Sequence, residues 1–240
     1  MRMSPPALPR RVAAEFIGTG ALVAVIVGSG IRADTLSQDI GVRLLANAAA
    51  SAIGLGLLIA LIGPLSGAHF NPVVTLSEWW SRGRTDGSHE VLAYIAAQLA
   101  GAVTGALLAE AMFGRVPGAW ATESRSDLHL LLGEAVATAG LVLVVRGLRH
   151  IGRPGLAPVA VAGYIGAAIW FTSSGSFANP AATVGRAFSD SFTGIAPGSV
   201  PAFAAAQLLG MLLGMVLAGV LYGTRDAAAE PNPAEARRTG

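Results

Sequence analysis

Ser66-Gly67-Ala68-His69-Phe70-Asn71-Pro72-Val73-Val74-Thr75 and Ser174-Gly175-Ser176-Phe177-Ala178-Asn179-Pro180-Ala181-Ala182-Thr183 are two copies of one pattern. Each reaches an Asn-Pro pair that opens a short apolar stretch, Phe70 to Trp80 in the first copy and Asn179 to Phe188 in the second. Proline suits the first position of a helix, where its missing N–H would have had no partner, and Asn just before it is a good N-cap. Both stretches are too short to cross a bilayer, which takes roughly 20 apolar residues. A lone Asn-Pro marks only a helix start. Two of them at matching points of a repeat, inside apolar sequence, predict a pair of re-entrant half-helices.

The repeat extends outward from these segments. Ala14-Glu15-Phe16-Ile17-Gly18-Thr19-Gly20-Ala21-Leu22-Val23 is echoed by Gly133-Glu134-Ala135-Val136-Ala137-Thr138-Ala139-Gly140-Leu141-Val142, and Ala96-Ala97-Gln98-Leu99-Ala100-Gly101 by Ala205-Ala206-Gln207-Leu208-Leu209-Gly210. Long apolar stretches lie at Val12 to Ile31, Val42 to Ile62, Val91 to Phe113, Leu128 to Val145, Leu156 to Thr172 and Pro201 to Tyr222. The reading is an all-α integral membrane protein with six spans and two half-helices. Each half holds an odd number of spans, so the second half is inverted and the two Asn-Pro segments enter from opposite faces to meet near the midplane. The divisions are a first half over 1–113, a connecting loop over 114–127, an inverted second half over 128–223, and a polar, disordered cytoplasmic tail over 224–240.

Composition agrees. The chain is 53% hydrophobic and 12% charged, whereas a soluble domain is about a quarter charged. The first span is long enough to cross and has no small-residue cleavage site after it, so it reads as a mature helix rather than a signal peptide. All sixteen basic residues are arginine. With the N-terminus inside, eleven of the sixteen lie on inner segments and only Arg32, Arg43, Arg115, Arg125 and Arg186 on outer ones. The positive-inside rule then places both termini in the cytoplasm, in the cell (inner or plasma) membrane. The basic charge reports topology, and no nucleic-acid partner is implied. With no cysteine and four histidines, neither a thiol nucleophile nor a metal cluster is expected. No phosphate-cradling Gly motif or Ser-His-acid set suggests an enzyme, and no cofactor is called for.

Half-helix N-termini that meet at the midplane each present roughly half a positive charge, which disfavours cations. The Asn71 and Asn179 amides can donate to a passing oxygen and interrupt a proton-conducting file of water. Neutral solutes remain able to pass.

With these residues the chain resembles the aquaporin family, the major intrinsic proteins, from about Ala13 to Tyr222. The resemblance implies a pore in every protomer of a homotetramer, with Asn71, Pro72, Val73, Asn179, Pro180 and Ala181 lining it. It also implies that Glu15 and Glu134 accept hydrogen bonds from the re-entrant loops, a structural duty set against a proton relay, and that His69 packs beside the cytoplasmic mouth. Family spacing places the outer filter at Ser51, Ala167, Ser176 and Ala182.

The filter departs from the family. Most members have Arg three residues after the second Asn, where this chain has Ala182, and glycerol facilitators follow it with Asp, where this chain has Thr183. Arg186 is expected nearer the outer mouth, and Phe177 and Trp170 are the nearby groups able to narrow the opening. Small filter residues without Arg imply a wide, polar entrance similar to that of bacterial aquaglyceroporins encoded with arsenic-resistance genes. The expected solutes are glycerol-sized polyols and undissociated metalloid acids such as arsenite, with some water. A plain water channel, a coupled secondary transporter and a closed junction protein are the alternatives.

Overall fold

The computed structural model describes residues 6–81 and 87–223. Six long helices, α1 (Leu8–Leu36), α2 (Ile40–Ser66), α4 (Ser88–Met112), α5 (Leu128–His150), α6 (Ala157–Phe171) and α8 (Val200–Tyr222), alternate with two short ones, α3 (Pro72–Ser81) and α7 (Pro180–Arg186). The six long helical segments are apolar and long enough to cross a membrane. Hydropathy marks only their apolar middles. In α1 the helix runs on past Val12 and Ile31 to include Arg10, Arg11 and Arg32, because continuing the helix keeps backbone groups paired where the chain leaves lipid. The tail over 224–240, expected to be disordered, lies outside the described residues.

The two halves use the same helix contacts. α1 packs along α4 and α5 along α8, while α2 meets α6 across the junction of the halves. The α1/α4 and α5/α8 pairs approach at glycines: a Cβ on Gly101 or Gly105 would strike the α1 backbone at Phe16 or Gly20, and one on Gly210 or Gly214 would strike α5 at Ala135 or Ala139. Lipid tails give apolar helices little reason to associate, so such close backbone approach, with its dispersion contacts, holds the bundle. Both half-helices rest on α4 and α8, so these two helices form a common wall behind the re-entrant segments. The outward surface is studded with exposed Leu, Ile and Val such as Ile53, Leu57, Leu61, Val159 and Val220, the surface a bilayer would cover.

Candidate functional site

The re-entrant loops owe their shape to repeated left-handed residues. Gly67, Ala68 and Phe70 have φ of 91°, 49° and 50°, and Gly175, Ser176 and Ala178 have 74°, 48° and 46°. Four of the six are not glycine, a conformation costing of order 1–3 kcal/mol each. What offsets that cost is a buried carboxylate behind each loop. Glu15 accepts hydrogen bonds from Ser66 Oγ (2.6 Å), His69 N (3.0 Å), Phe70 N (2.7 Å) and Gln98 Nε2 (2.8 Å). Glu134 accepts from Phe177 N and Ala178 N (both 2.8 Å) and from Gln207 Nε2 (2.6 Å). Gln98 and Gln207 each donate again at 2.9 Å, to Thr75 Oγ1 and Thr183 Oγ1. Those hydroxyls in turn donate to Asn71 O and Asn179 O. Both glutamates are fully buried and neither borders the cavity described below.

The asparagines lock the loops to one another. Asn71 Nδ2 donates to Ala178 O at 2.7 Å, and Asn179 Nδ2 donates to Phe70 O at 2.8 Å. Their oxygens cap the half-helices: Asn71 Oδ1 accepts from Val73 N, and Asn179 Oδ1 from Ala181 N and Ala182 N. One N–H of each amide is thus committed to the opposite loop. The other is available to a solute.

Both asparagines border one continuous cavity of roughly 720 Å3, lined at one end by Leu44, Arg125 and Thr193 and at the other by Arg149, Pro154 and Gly155. Ser51, Ser176 and Ala182 line it, and the hydroxyls of Ser51 and Ser176 are buried without a hydrogen-bond partner in the protein. Ala167 does not line it. This residue is exposed on the outer side of α6, and Val161, Ile165 and Ile169 face the cavity instead. Two residues along a helix turn the side chain by about 200°, so counting back from Asn179 through an irregular loop reached the wrong face. Pro72, Val73, Pro180 and Ala181 are packed behind the asparagines rather than along the cavity, with Val73 and Ala181 wholly buried.

Phe177 and Trp170, the residues that the sequence offered as able to narrow the opening, are both on the lining, and Ile169 joins them there. Arg186 borders the cavity at the end that holds Arg125 and Thr193. Only 8% of its surface is exposed, its Nε donates to Thr193 O at 2.5 Å, and its guanidinium carbon sits 3.2 Å from the centroid of the Phe177 ring. Arg125, from the loop before α5, lies 5.3 Å from the same ring and donates from Nε to Gly194 O at 2.9 Å. Burial lowers the Arg125 guanidinium pKa from its ordinary value, opposed by Glu123 and Glu134. Phe203 backs the ring edge-on at 5.2 Å. Nothing in local sequence signalled Arg125, which is 61 residues before Arg186 and reaches the site only through the fold.

At the other mouth His69 lines the cavity, its Nδ1 3.1 Å from Thr75 Oγ1 and its ring edge-on to Tyr94. Arg149 borders the same end and pairs with the buried Glu78 of α3. Among the described residues no group of His, Asp and Glu side chains could hold a metal ion.

This architecture has known relatives. Aquaglyceroporin AqpS of Rhizobium meliloti is 44% identical over 196 residues, covering 82% of this chain and 83% of the relative. A probable aquaporin, AqpM, of Archaeoglobus fulgidus is 33% identical over 216 residues, covering 78% and 86%. The X-ray structure of the aquaglyceroporin from Plasmodium falciparum superposes with a TM-score of 0.65 over 91% of this chain and 97% of that one, at 24% identity, and supports the fold. With residues 2–173 matching the Major intrinsic protein family, with these relatives, and with two half-helices crossing asparagines at the centre of a six-helix bundle, the chain belongs to the major intrinsic proteins.

Proposed function

We propose that this protein is a passive channel for small neutral solutes: glycerol-sized polyols, undissociated metalloid acids such as arsenite, and some water. The observation that carries the reading is the single cavity that passes both asparagines and is bordered by residues from the two ends of the bundle. Solutes moving through it meet one free amide N–H from each Asn, then the unpartnered hydroxyls of Ser51 and Ser176. Such donors and acceptors replace water around a hydroxyl solute, while the converging N-termini of α3 and α7 oppose a cation. Membership in a family of membrane channels excludes an enzyme. Family names support the solute class, since relatives include an aquaglyceroporin.

Finer features belong to the same reading. The filter is taken as Ser51, Ser176 and Ala182, with Ile169 replacing Ala167. Glu15 and Glu134 serve structure rather than a proton relay, given their saturation with donors and distance from the cavity. The arginine distribution supports cytoplasmic termini in the plasma or inner membrane, the repeats support halves that part within 114–127, and the exposed apolar faces of α2 and α6 suit a homotetramer. Ile169 and Phe177 favour a second reading, a plain water channel. Stopped-flow light scattering on proteoliposomes separates the two: permeation by glycerol, urea and arsenite is expected, and water flux alone selects the narrower pore.

A further inference from the structure

We propose that Arg125 and Arg186 form a binding site for a small oxyanion, of the carboxylate class, at the entrance formed with Phe177. Both side chains border the cavity. Each is held by a backbone carbonyl through Nε, Thr193 O for Arg186 and Gly194 O for Arg125, which leaves the terminal nitrogens of each fork free of that bond. Both guanidiniums lie against Phe177, at 3.2 Å and 5.3 Å from its centroid. Among the described residues neither arginine has a carboxylate within ion-pair distance. The buried Glu134 is filled by Phe177 N, Ala178 N and Gln207, and Asp190 accepts from Thr122.

Two positive charges held close together and largely out of water repel each other, and Glu123 and Glu134 act on them only from beyond ion-pair distance, an arrangement that an anion relieves. A planar carboxylate matches guanidinium forks in two-point hydrogen bonding. The unpartnered Ser176 hydroxyl, on the residue before Phe177 and buried on the same lining, supplies a further donor. The site thus concentrates small oxygen acids at the mouth, while passage past the asparagines is left to the neutral form. It rests on the channel reading only for that last step.

Formate is the probe. Purified wild-type protein is expected to bind sodium formate in calorimetric titration, and formate outside proteoliposomes is expected to slow glycerol flux severalfold. Arg186→Gln is expected to weaken formate roughly tenfold, the loss of one charge-assisted pair, and Arg125→Gln to weaken it less. Arg186→Lys keeps the charge without the fork and is expected to fall between wild type and Arg186→Gln. Monodisperse elution and an unchanged melting temperature of each variant in detergent report that it has folded. No formate binding by wild type, or equal binding by wild type and both glutamine variants, overturns the site. Glycerol flux that formate never slows also overturns it and leaves the channel standing; formate binding that depends on Arg186 in a protein that passes no solute supports the site and sinks the channel.

Discussion

The two re-entrant segments have the same backbone and different walls. Ala68 and Phe70 in one, Ser176 and Ala178 in the other, take matching left-handed angles, and each loop hangs from a buried glutamate and glutamine of its own half. The side chains then diverge. Phe70 fills the space over Gly18, where any Cβ would collide with its ring, whereas the matching pair in the second half is Ala178 and Ala137, both wholly buried. Volume has moved from helix to loop, and the pore end of the second loop is left with Ser176 and Phe177 in place of Ala68 and His69. What repeats is the hydrogen-bonded frame that holds two asparagines in register. What differs is the lining.

Removing the shared frame has the largest expected effect. Glu15→Gln and Glu134→Gln each place an amide donor against N–H donors and lose charge-assisted hydrogen bonds of about 1.5–3 kcal/mol each. The yield of monodisperse protein is expected to collapse for both, with permeation per folded channel nearly unchanged; intact yield with altered flux would make these residues part of the conduction path.

Next comes the exchange of volume. Gly18→Ala is expected to destabilise by about 1–3 kcal/mol through overpacking against Phe70, seen as a lower melting temperature in detergent. Combining it with Phe70→Ala installs the second half's pair and is expected to recover part of that loss. No recovery would mean that the halves are not interchangeable at this point.

Ala182→Arg puts a long cationic side chain on the cavity lining. It is expected to cut glycerol and arsenite flux about tenfold or more and water flux much less, measured in the same vesicles. Equal losses would place Ala182 away from the constriction. The smallest effect is expected from Ser176→Ala, which removes one hydroxyl worth about 1 kcal/mol to a passing solute. Glycerol flux is expected to fall severalfold while water flux holds, and an unchanged ratio would remove Ser176 from the filter.

The membrane class, the inverted repeat, the Asn-Pro half-helices and the recurrence of Glu and Gln in each half were all legible in the chain, because hydropathy, proline position and internal echoes are local properties that a sequence states directly; the resemblance implied the glutamates' duty, and only the structure showed that of the glutamines. The frame residues recur at matching points, so one half vouches for the other. The lining offered no such check. Ser51 and Ala182 line the cavity, but Ala167 is exposed and Ile169 faces the cavity, since the rotation of α6 is fixed by its packing on α2 and α5. Arg186 turned back onto Phe177, and Arg125 joined it from a distant loop, because the carbonyls of Thr193 and Gly194 hold them there. Sequence by itself determined that two half-helices meet inside a six-span bundle. Which side chains face the passage was decided only by tertiary packing, because a turn of one or two residues about a helix axis carries a side chain from pore to lipid.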